Sequence, residues 1–396
     1  MKRNSNTIDL RIENTKAIYN FLRINGDSTK SQIANGVGLT FASASNICGV
    51  LESMGVIGKT TTSFSTGGRK AIYYRFVKDY SCSFIIDLHN TEHCHLGFVN
   101  LLNNIIIKDT FQFEENDNLE SIMEKIKIYY NKLIKQISIP VLGICVGISA
   151  VYKKDTGTSI SSSNPVFEGI NIYDTFKEAF PNKLVVIEND ANLAALSQLN
   201  YYQERHNSLF IFITEGVGMG IIINGELFYG NDGFAGELGH FKVSEVTKKC
   251  KCGRIGCLRL VATLKSIATD LDELDLFNSF SESIEYAKIL ADRYEEGEEK
   301  VCQRIDFLAK KLGEVVASLT DIFNPDQIQI GGNFDRLFPL INPIIRQEFR
   351  KISKLAKTST TRIVCINSSV GELMLKGGGE RFFHAWLNSG AMDFSE

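Results

Sequence analysis

One histidine and three cysteines lie close together in the chain. His240 precedes Cys250, Cys252 and Cys257, with nine, one and four residues between successive members. Three thiolates and one imidazole suit tetrahedral Zn²⁺, and two glycines between the cysteines let the chain turn back tightly. Four protein ligands would leave no open coordination position, so the spacing predicts a structural zinc site.

Two other interpretations of this cluster remain. One is redox chemistry, although Cys250 and Cys252 are separated by one residue rather than by the two of a C-x-x-C motif. The other is a chance grouping of unrelated buried thiols. The remaining six of the nine cysteines are scattered, which is typical of a reduced cytosol rather than of a disulfide scaffold. We therefore expect a cytoplasmic protein with no secretion signal and no transmembrane segment.

The cluster belongs to a region of alternating strand and helix patterns, typical of an α/β protein. Strand-like runs are 83–88, 95–99, 105–113, 141–148, 184–187, 209–214, 220–223 and 327–330. Helical patterns are 121–136, 191–203, 281–290, 303–323 and 370–387. Asp190 stands directly before the second of these helices, where its carboxylate can act as an N-cap.

The first 80 residues differ from the rest in charge and in pattern. They carry 11 Lys and Arg against 5 Asp and Glu, whereas the remaining residues carry 32 against 41. Two helical patterns and a third that starts at Thr40 are followed by strand-like residues 56–57 and 71–76. This order predicts a winged helix-turn-helix, and the positive charge favours double-stranded DNA as its partner.

Small polar side chains lie on the outward face predicted for the third helix, and two cations lie on the wing. We expect this helix to enter the major groove and the cations to meet phosphate or the minor groove. The candidate DNA-binding residues are Thr40, Phe41, Ser43, Ser45, Asn46, Arg69 and Lys70. A small helical adaptor with a solvated basic tip is the alternative.

Three segments read together resemble the ROK family (repressors, open reading frames and sugar kinases). They are Glu188-Asn-Asp-Ala-Asn192, Gly236-Glu-Leu-Gly-His240 and Cys250-Lys-Cys-Gly-Arg-Ile-Gly-Cys-Leu258. Ser65-Thr-Gly-Gly-Arg69 is similar to the wing of the family's xylose and N-acetylglucosamine repressors, so the resemblance spans essentially the whole chain. It implies a two-lobed, actin-like (ribonuclease H-like) ATPase fold with a structural zinc loop, assembled as dimers or tetramers.

The resemblance also implies roles for single residues. Asp190 stands where the family's kinases have the base that takes a proton from a sugar hydroxyl. Carboxylates and amides suit sugar recognition, because a pyranose displays alternating hydrogen-bond donors and acceptors. The candidate sugar-binding residues are Asn164, Asn189, Asp190, Glu237, His240 and Arg259.

The phosphate-binding segments depart from the family's kinases. The first kinase loop reads Asp-x-Gly-Gly-Thr, whose glycines let backbone amides approach phosphate, but His89 and Asn90 replace both glycines here. In the second loop Glu215 replaces a threonine, and its charge would oppose a triphosphate. The pair Gly331-Gly332 does match the family's adenosine side, although a fold requirement explains it equally well. We therefore predict that kinase activity has been lost.

One ligand-binding position departs as well. Arg259 stands where family members usually have a glutamate that binds a sugar hydroxyl. It can pair with Glu237 and close the pocket, or it can bind an anionic effector such as a sugar phosphate or a sugar acid. The sequence does not choose between these alternatives.

We expect three parts: a DNA-binding domain at 1–80, a first lobe at about 81–193 with helix 370–390, and a second lobe at about 194–369. A sugar-like effector between the lobes would close them and, through the zinc loop and subunit contacts, change the spacing of two recognition helices on a palindromic operator. The rival functions are an active sugar kinase with an attached DNA-binding domain, and a constitutive DNA-binding protein with a vestigial pocket.

Overall fold

The first 80 residues form a small helical unit with a two-stranded ribbon. The computed structural model describes residues 2–60, 71–153, 155–199, 206–276, 280–334, 336–353 and 358–389. Helices α1 (Lys2–Asn25), α2 (Lys30–Gly36) and α3 (Phe41–Ser53) precede the antiparallel strands β1 (Ile57–Thr60) and β2 (Tyr73–Phe76). This is the element order expected of a winged helix-turn-helix.

Local signals set the helix boundaries in this N-terminal unit. Thr29 and Gln32 form a capping box at the start of α2, each side chain bonding to the other residue's amide. Thr40 caps α3 by accepting from the Ser43 amide. Between the two helices Gly38 has φ +69°, a conformation that glycine adopts without strain. Helix, turn and helix therefore occur where the spacing predicts them.

A first five-stranded sheet follows the N-terminal unit. Its part of the chain comprises β3 (Cys82–Leu88), β4 (His93–Asn100), β5 (Ile105–Gln112), α4 (Leu119–Ile134), β6 (Val141–Ile148), β7 (Ala150–Lys153), β8 (Thr158–Ser162), α5 (Ile172–Ala179), β9 (Leu184–Asn189) and α6 (Asp190–Leu196). The strand order in the sheet is β5-β4-β3-β6-β9, and β7 and β8 form a separate hairpin.

A second five-stranded sheet occupies the rest of the chain. Its elements are β10 (Ser208–Ile213), β11 (Val217–Ile223), β12 (Glu226–Leu227), α7 (Arg259–Ala262), α8 (Leu264–Asp270), α9 (Phe280–Glu295), α10 (Glu299–Phe323), β13 (Gln327–Gly332), α11 (Phe338–Ile352) and β14 (Arg362–Ile366), and α12 (Val370–Asn388) closes the described chain. The strand order is β12-β11-β10-β13-β14.

The two sheets share one topology. In each sheet the first three strands form an antiparallel meander. Two further strands lie on the other side of the first strand and run parallel to it. Parallel pairs need helical crossovers, which cover the sheet faces and bury them. Two lobes of this kind, facing each other, make an α/β fold of the actin-like, kinase-like type.

Helices α6 and α12 lie between the two sheets. Helix α12 packs on β3 and β6 of the first sheet and also against α6, as the sequence predicts for a returning helix. Three successive glycines permit this approach: a Cβ on Gly377 would lie 1.9 Å from the Leu193 carbonyl oxygen, and one on Gly378 would lie 2.4 Å from Ile85 Cγ2. The glycines weaken the isolated helix but allow its close packing.

The predicted elements are largely confirmed. All eight strand-like runs are strands, with ends shifted by up to three residues. The helix expected at 191–203 instead starts at Asp190 and ends at Leu196, and its N-cap is Asn189 rather than Asp190. The reason is that Asn189 accepts from the amides of the second and third helical residues, which leaves Asp190 as the first. Strands β7, β8, β12 and β14 were not predicted.

Across the ranges described, no helix combines the length and the apolar character that crossing a membrane requires.

Candidate functional site

The predicted zinc ligands come together beside a wide cleft. His240 ends a short 3-10 turn, and the cysteine loop folds back along it through a bridge between Lys242 and Cys257. Gly253 and Gly256 have φ +90° and +87°, values that only glycine adopts readily. The two glycines therefore shape the loop that brings the cysteines to the histidine.

The four side chains form one compact donor set. Their ligand atoms all lie within 4.8 Å of one another. Cys250 Sγ is 3.8 Å from His240 Nδ1, and Cys252 Sγ is 3.6 Å from Cys257 Sγ. Tetrahedral Zn²⁺ at its usual bond lengths would separate two sulfur ligands by about 3.8 Å and a sulfur from a nitrogen ligand by about 3.5 Å. The donor set therefore fits a zinc ion that would tie the cysteine loop to His240.

A cleft of about 910 Å³ lies between the lobes. The end of β9 and the start of α6 form one wall, and β11 with the cysteine loop forms part of the other. Five of the predicted sugar-binding residues line it: Asn189, Asp190, Glu237, His240 and Arg259. A concave site of this volume with convergent polar groups is typical of a small-ligand site.

Asp190 is the most deeply placed carboxyl among these five. It is 6% exposed, and its Oδ1 accepts from the Ala191 amide at 2.8 Å. Burial raises the pKa of Asp190 to about 6, although the charge of His89 and hydrogen bonds from the Ala191 amide and Ser149 oppose the rise. At neutral pH it is therefore an ionised carboxylate that accepts a hydroxyl proton more readily than an ordinary aspartate.

Asn189 positions the same wall. Its Oδ1 accepts from the amides of Ala191 and Asn192, and its Nδ2 donates to the Ala150 carbonyl at 3.3 Å. The capping role that residue types alone suggested for Asp190 thus belongs to its neighbour. Asn189 lines the cleft while holding the start of α6 in place.

Glu237 and Arg259 line the cleft from the side of the second lobe. Glu237 is exposed to the cleft, yet partial desolvation by the walls raises the pKa of its carboxyl, and the charge of Arg259 opposes that rise. The two side chains do not form an ion pair within 4.0 Å. The closed pocket that the sequence offered as one alternative is therefore not formed in this structure.

Asn164 lies away from the cleft wall. It is 5% exposed, and its Oδ1 accepts from the Val166 amide at 3.0 Å, which caps a short 3-10 turn. Its neighbours Ser163 and Pro165 line the cleft instead. The structure therefore gives Asn164 a capping role that orients this edge.

The first phosphate-type turn contains a buried imidazole. His89 Nδ1 lies 2.8 and 2.9 Å from the two carboxylate oxygens of Asp87, and both side chains are buried. Burial alone would lower the pKa of His89, but the charge and hydrogen bond of Asp87 raise it, and Asp190 and Glu215 add to the rise. A buried imidazole bonded to Asp87 thus stands in the turn where kinases of the resembling family have glycine.

Asn90 closes the same turn. Its Oδ1 accepts from the amides of Glu92 and His93 at 2.9 and 2.8 Å. These two amides are therefore engaged by a side chain of the turn itself. Glu215 lines the cleft opposite, where burial raises the pKa of its carboxyl against the opposing charges of His89 and Lys265.

The glycine pair after β13 has a packing role. A Cβ on Gly331 would lie 2.7 Å from the Phe210 ring, and one on Gly332 would lie 1.9 Å from the Ile213 carbonyl oxygen. Gly332 also has φ +121°, which disfavours any side chain. The second sheet needs both glycines whether or not a nucleotide binds.

Sequence reasoning missed the partners of Glu188. This buried carboxylate accepts from Tyr229 Oη at 2.8 Å and from Arg381 Nε at 2.7 Å, and its other oxygen accepts from Asn192 Nδ2 at 2.9 Å. Tyr229 follows β12 of the second sheet and Arg381 belongs to α12. Glu188, directly before Asn189, therefore joins the two lobes. Local sequence patterns could not show this, because Tyr229 and Arg381 are distant from Glu188 along the chain.

The neighbouring residue on α12 contacts the N-terminal unit. Glu380, 1% exposed, forms a double ion pair with Arg23 of α1. Tyr19 of the same helix donates its hydroxyl to the Leu101 carbonyl at 2.9 Å, and Lys16 approaches Glu226 of β12 at 3.8 Å. The N-terminal unit also shares one apolar core with α12 and the first sheet, so α1 is packed against both lobes.

The candidate DNA-binding residues are only partly described. Thr40, Phe41, Ser43 and Asn46 are exposed at the start of α3, and Phe41 is 58% exposed. Ser45 is half-buried and accepts from Lys30 Nζ of α2 at 3.1 Å, so it faces α2. Arg69 and Lys70 lie outside the described residues.

Comparison with known proteins identifies the family to which the chain belongs. The ROK family profile matches residues 100–371. The chain is 26% identical over 347 residues to the xylose repressor of Caldicellulosiruptor bescii, covering 85% of this chain and 86% of the repressor. It is 24% identical over 347 residues to the DNA-binding transcriptional dual regulator NagC of Escherichia coli, covering 84% and 83%.

Solved structures show the same fold. A ROK family transcriptional regulator, a homolog of the E. coli MLC protein, matches 97% of this chain and 100% of its own at TM-score 0.78 and 20% identity. The ROK hexokinase from Thermus thermophilus matches 77% of this chain and 99% of its own at TM-score 0.64 and 19% identity. With its α/β, actin-like, kinase-like fold, the chain belongs to the ROK family.

Proposed function

We propose that this protein is a DNA-binding transcriptional repressor of carbohydrate-metabolism genes, controlled by a sugar or sugar derivative bound between its lobes. The single observation that carries the proposal is the pair Glu380 and Arg381 on α12. One residue anchors the N-terminal unit through Arg23, and the next anchors the cleft through Glu188. The xylose repressor and NagC, which match this chain over most of its length, support the same function.

The effector binds in the cleft. Asp190 and Glu237 accept hydrogen bonds from sugar hydroxyls, and Asn189 holds the wall from which Asp190 projects. His240 borders the same cleft, and a zinc ion held with the three cysteines would fix its position. Zinc supplies structural cross-linking of the loop when bound, with no open coordination position.

The operator lies against α3. Its exposed N-terminal residues Thr40, Phe41, Ser43 and Asn46 enter the major groove, with Ser45 supporting the helix from the side of α2. Arg69 and Lys70 of the wing contact phosphate or the minor groove. A homodimer or tetramer presents two such helices to a palindromic site.

The effect of ligand binding in the cleft is transmitted to α3 through α12 and α1. Closure of the cleft shifts Tyr229 relative to Glu188, because these two residues belong to different lobes. Arg381 is bonded to Glu188, and a buried ion pair at the preceding residue, Glu380, holds α1. A sugar that binds the closed form better therefore shifts the population of N-terminal orientations, and DNA affinity changes by the same coupling free energy.

The proposed repressor has no kinase activity. The buried His89 and the Asn90-capped amides fill the turn that would hold phosphate, and Glu215 places a carboxyl on the facing wall. The rival function, an active sugar kinase with an attached DNA-binding unit, is supported by the retained Asp190 and its raised pKa. It predicts sugar-dependent ADP release that Asp190→Asn abolishes.

The test uses the full-length protein and a random pool of double-stranded DNA. Selection of bound DNA should enrich a palindromic sequence, and a sugar panel screened by thermal shift should contain a compound that also changes affinity for that sequence. A sugar that shifts the melting temperature but leaves DNA affinity unchanged would contradict the control mechanism. Release of ADP with ATP and any sugar of the panel would instead establish the kinase.

A further inference from the structure

Two of the cations that line the cleft lie at one end of it and have no partner side chain among the described residues. Arg259 and Lys265 both line the cleft. Among the described parts of the chain, neither side chain has a hydrogen-bond partner or an acid within 4.0 Å. Both lower the pKa of the same carboxyl, that of Glu215, so their charges act at the same end of the cleft. This end therefore presents two unpaired positive charges to a ligand.

The backbone that carries Arg259 is firmly held. The preceding residue, Leu258, is fully buried, and its amide donates to the Phe241 carbonyl at 2.9 Å. Arg259 is also the first residue of α7 and follows the cysteine loop by two positions. Its half-buried guanidinium is thus presented to the cleft without rearrangement of the main chain, which lowers the entropic cost of binding an anion.

The carboxylates of the cleft accept hydrogen bonds. Asp190 and Glu237 present carboxylates, which match sugar hydroxyls. A neutral sugar would satisfy these acceptors and leave Arg259 without a charged partner. The amino group of an amino sugar would be repelled by Arg259 and Lys265 at this end of the cleft. A sugar with an acidic group satisfies both kinds of group at once.

A nucleotide is a poorer match to the same charges. Asn90 occupies two amides of the phosphate-type turn, and Glu215 would repel the several charges of a triphosphate more strongly than a single anionic group. The acceptor-rich cleft beside two cations suits one anionic group attached to a polyol. The choice of an acidic sugar over a nucleotide therefore follows from the closed turn as well as from the cations.

We infer that the effector is a sugar bearing one anionic group, a carboxylate or a phosphate, and that Arg259, assisted by Lys265, binds that group. This inference rests on the proposed sugar effector and specifies its chemical class. A planar guanidinium can bind either oxyanion through two parallel hydrogen bonds, so the shared chemistry is the anion itself.

Matched sugars test the inference on the full-length, zinc-loaded protein. For glucose, galactose, mannose and N-acetylglucosamine, affinities are measured by calorimetry for the neutral sugar and for its 6-phosphate, together with the uronic acids of the three hexoses and glucosamine as a cationic comparison. At least one acidic form should bind about tenfold or more tightly than its neutral parent, a difference of about 1.4 kcal/mol. The phosphate and carboxylate arms identify the anion.

Charge reversal locates the contact. Arg259→Glu should weaken binding of the acidic form about tenfold or more while changing binding of the neutral parent far less, and Lys310→Glu, an exposed change of equal charge on α10, should alter neither. Zinc content and unliganded melting temperature check that the variant folds, and Lys265→Met gives a second, milder probe.

The outcomes separate this inference from the proposed function. A neutral sugar that binds as tightly as its acidic forms and changes DNA affinity would overturn the anionic effector while leaving the repressor intact. Binding of an acidic sugar that survives Arg259→Glu unchanged would overturn the assigned contact. DNA affinity unaffected by every sugar that binds would overturn the proposed control by sugar itself.

Discussion

Arg23 of α1 and Glu380 of α12 form a buried ion pair that joins the N-terminal unit to the kinase-like domain. Their side chains are 6% and 1% exposed, and Arg23 Nη2 lies 2.9 Å from Glu380 Oε1. Since 357 residues separate the two along the chain, the pair fixes the relation between two parts that local structure alone would leave independent.

Removing the carboxylate of this pair should be strongly destabilising. Glu380→Gln leaves Arg23 buried without its counter-charge, and such a loss costs about 3–5 kcal/mol of unfolding free energy. Urea denaturation measures it. The control Glu372→Gln, which removes an exposed partner of Lys376 on the same helix, should change stability by about 0.5 kcal/mol or less. The double variant Arg23→Met/Glu380→Met should recover much of the loss, since no charge then remains unpaired.

The same ion pair should make the free energy of unfolding depend on pH. Burial would raise the pKa of Glu380, but Arg23 and His384 lower it to about 2, below its ordinary value of 4.5. The pair therefore stabilises the fold fully above about pH 5 and loses this contribution as pH falls towards 2, by up to about 3 kcal/mol. The difference in unfolding free energy between the protein and Glu380→Gln should shrink over that range. A constant difference would contradict the assigned pKa.

Asp190 should show the opposite pH dependence. Because burial raises its pKa to about 6, the folded protein holds a proton that the unfolded chain releases near pH 4, so this group lowers stability as pH rises from 4 to 6. Asp190→Asn should therefore raise unfolding free energy at pH 7 by up to about 3 kcal/mol, with little effect near pH 4. The exposed Asp155→Asn serves as control. A stability gain that is equal at both pH values would argue against a buried, ionised carboxylate.

Removal of zinc should destabilise the cysteine loop at the edge of the cleft and lower the melting temperature. Mass spectrometry of the native protein should find about one zinc per chain, and chelation should lower the melting temperature because a structural metal stabilises only the folded state. Cys257→Ser should lose the metal, whereas Cys302→Ser, a cysteine outside the donor set, should retain it. Full zinc content in Cys257→Ser would show that the ligand set is different.

Tyr229→Phe should weaken communication between the cleft and DNA. It removes the second lobe's hydroxyl from Glu188 but preserves the ring, so the expected stability cost is about 1–2 kcal/mol. Operator affinity without sugar should change little, while the fold-change produced by the strongest-binding sugar should fall. Tyr173→Phe, at an exposed ring, should behave as the unaltered protein. An undiminished sugar response in Tyr229→Phe would remove Glu188 from the coupling route.

Most of the secondary structure could be predicted because it depends on local signals. The run Val141–Ile148 is apolar enough to be a buried strand wherever it lies, and the structure places the strand at these residues. Thr40 caps α3 through an amide only three residues away. Short or weakly patterned elements such as β12, with two residues, have no such signal and depend on pairing with β11.

The sequence by itself determined the family, the donor set of one histidine and three cysteines, and the altered phosphate-type turn, because each depends on residues that are close together in the chain. Only the tertiary structure decided what depends on distant partners. It assigned the α6 cap to Asn189, directed Asn164 away from the cleft wall, left Arg259 unpaired with Glu237 and joined Glu188 to Arg381. Periodicity shows which face of an element is buried, but the identity of a side chain's partner across two lobes follows from how those lobes pack.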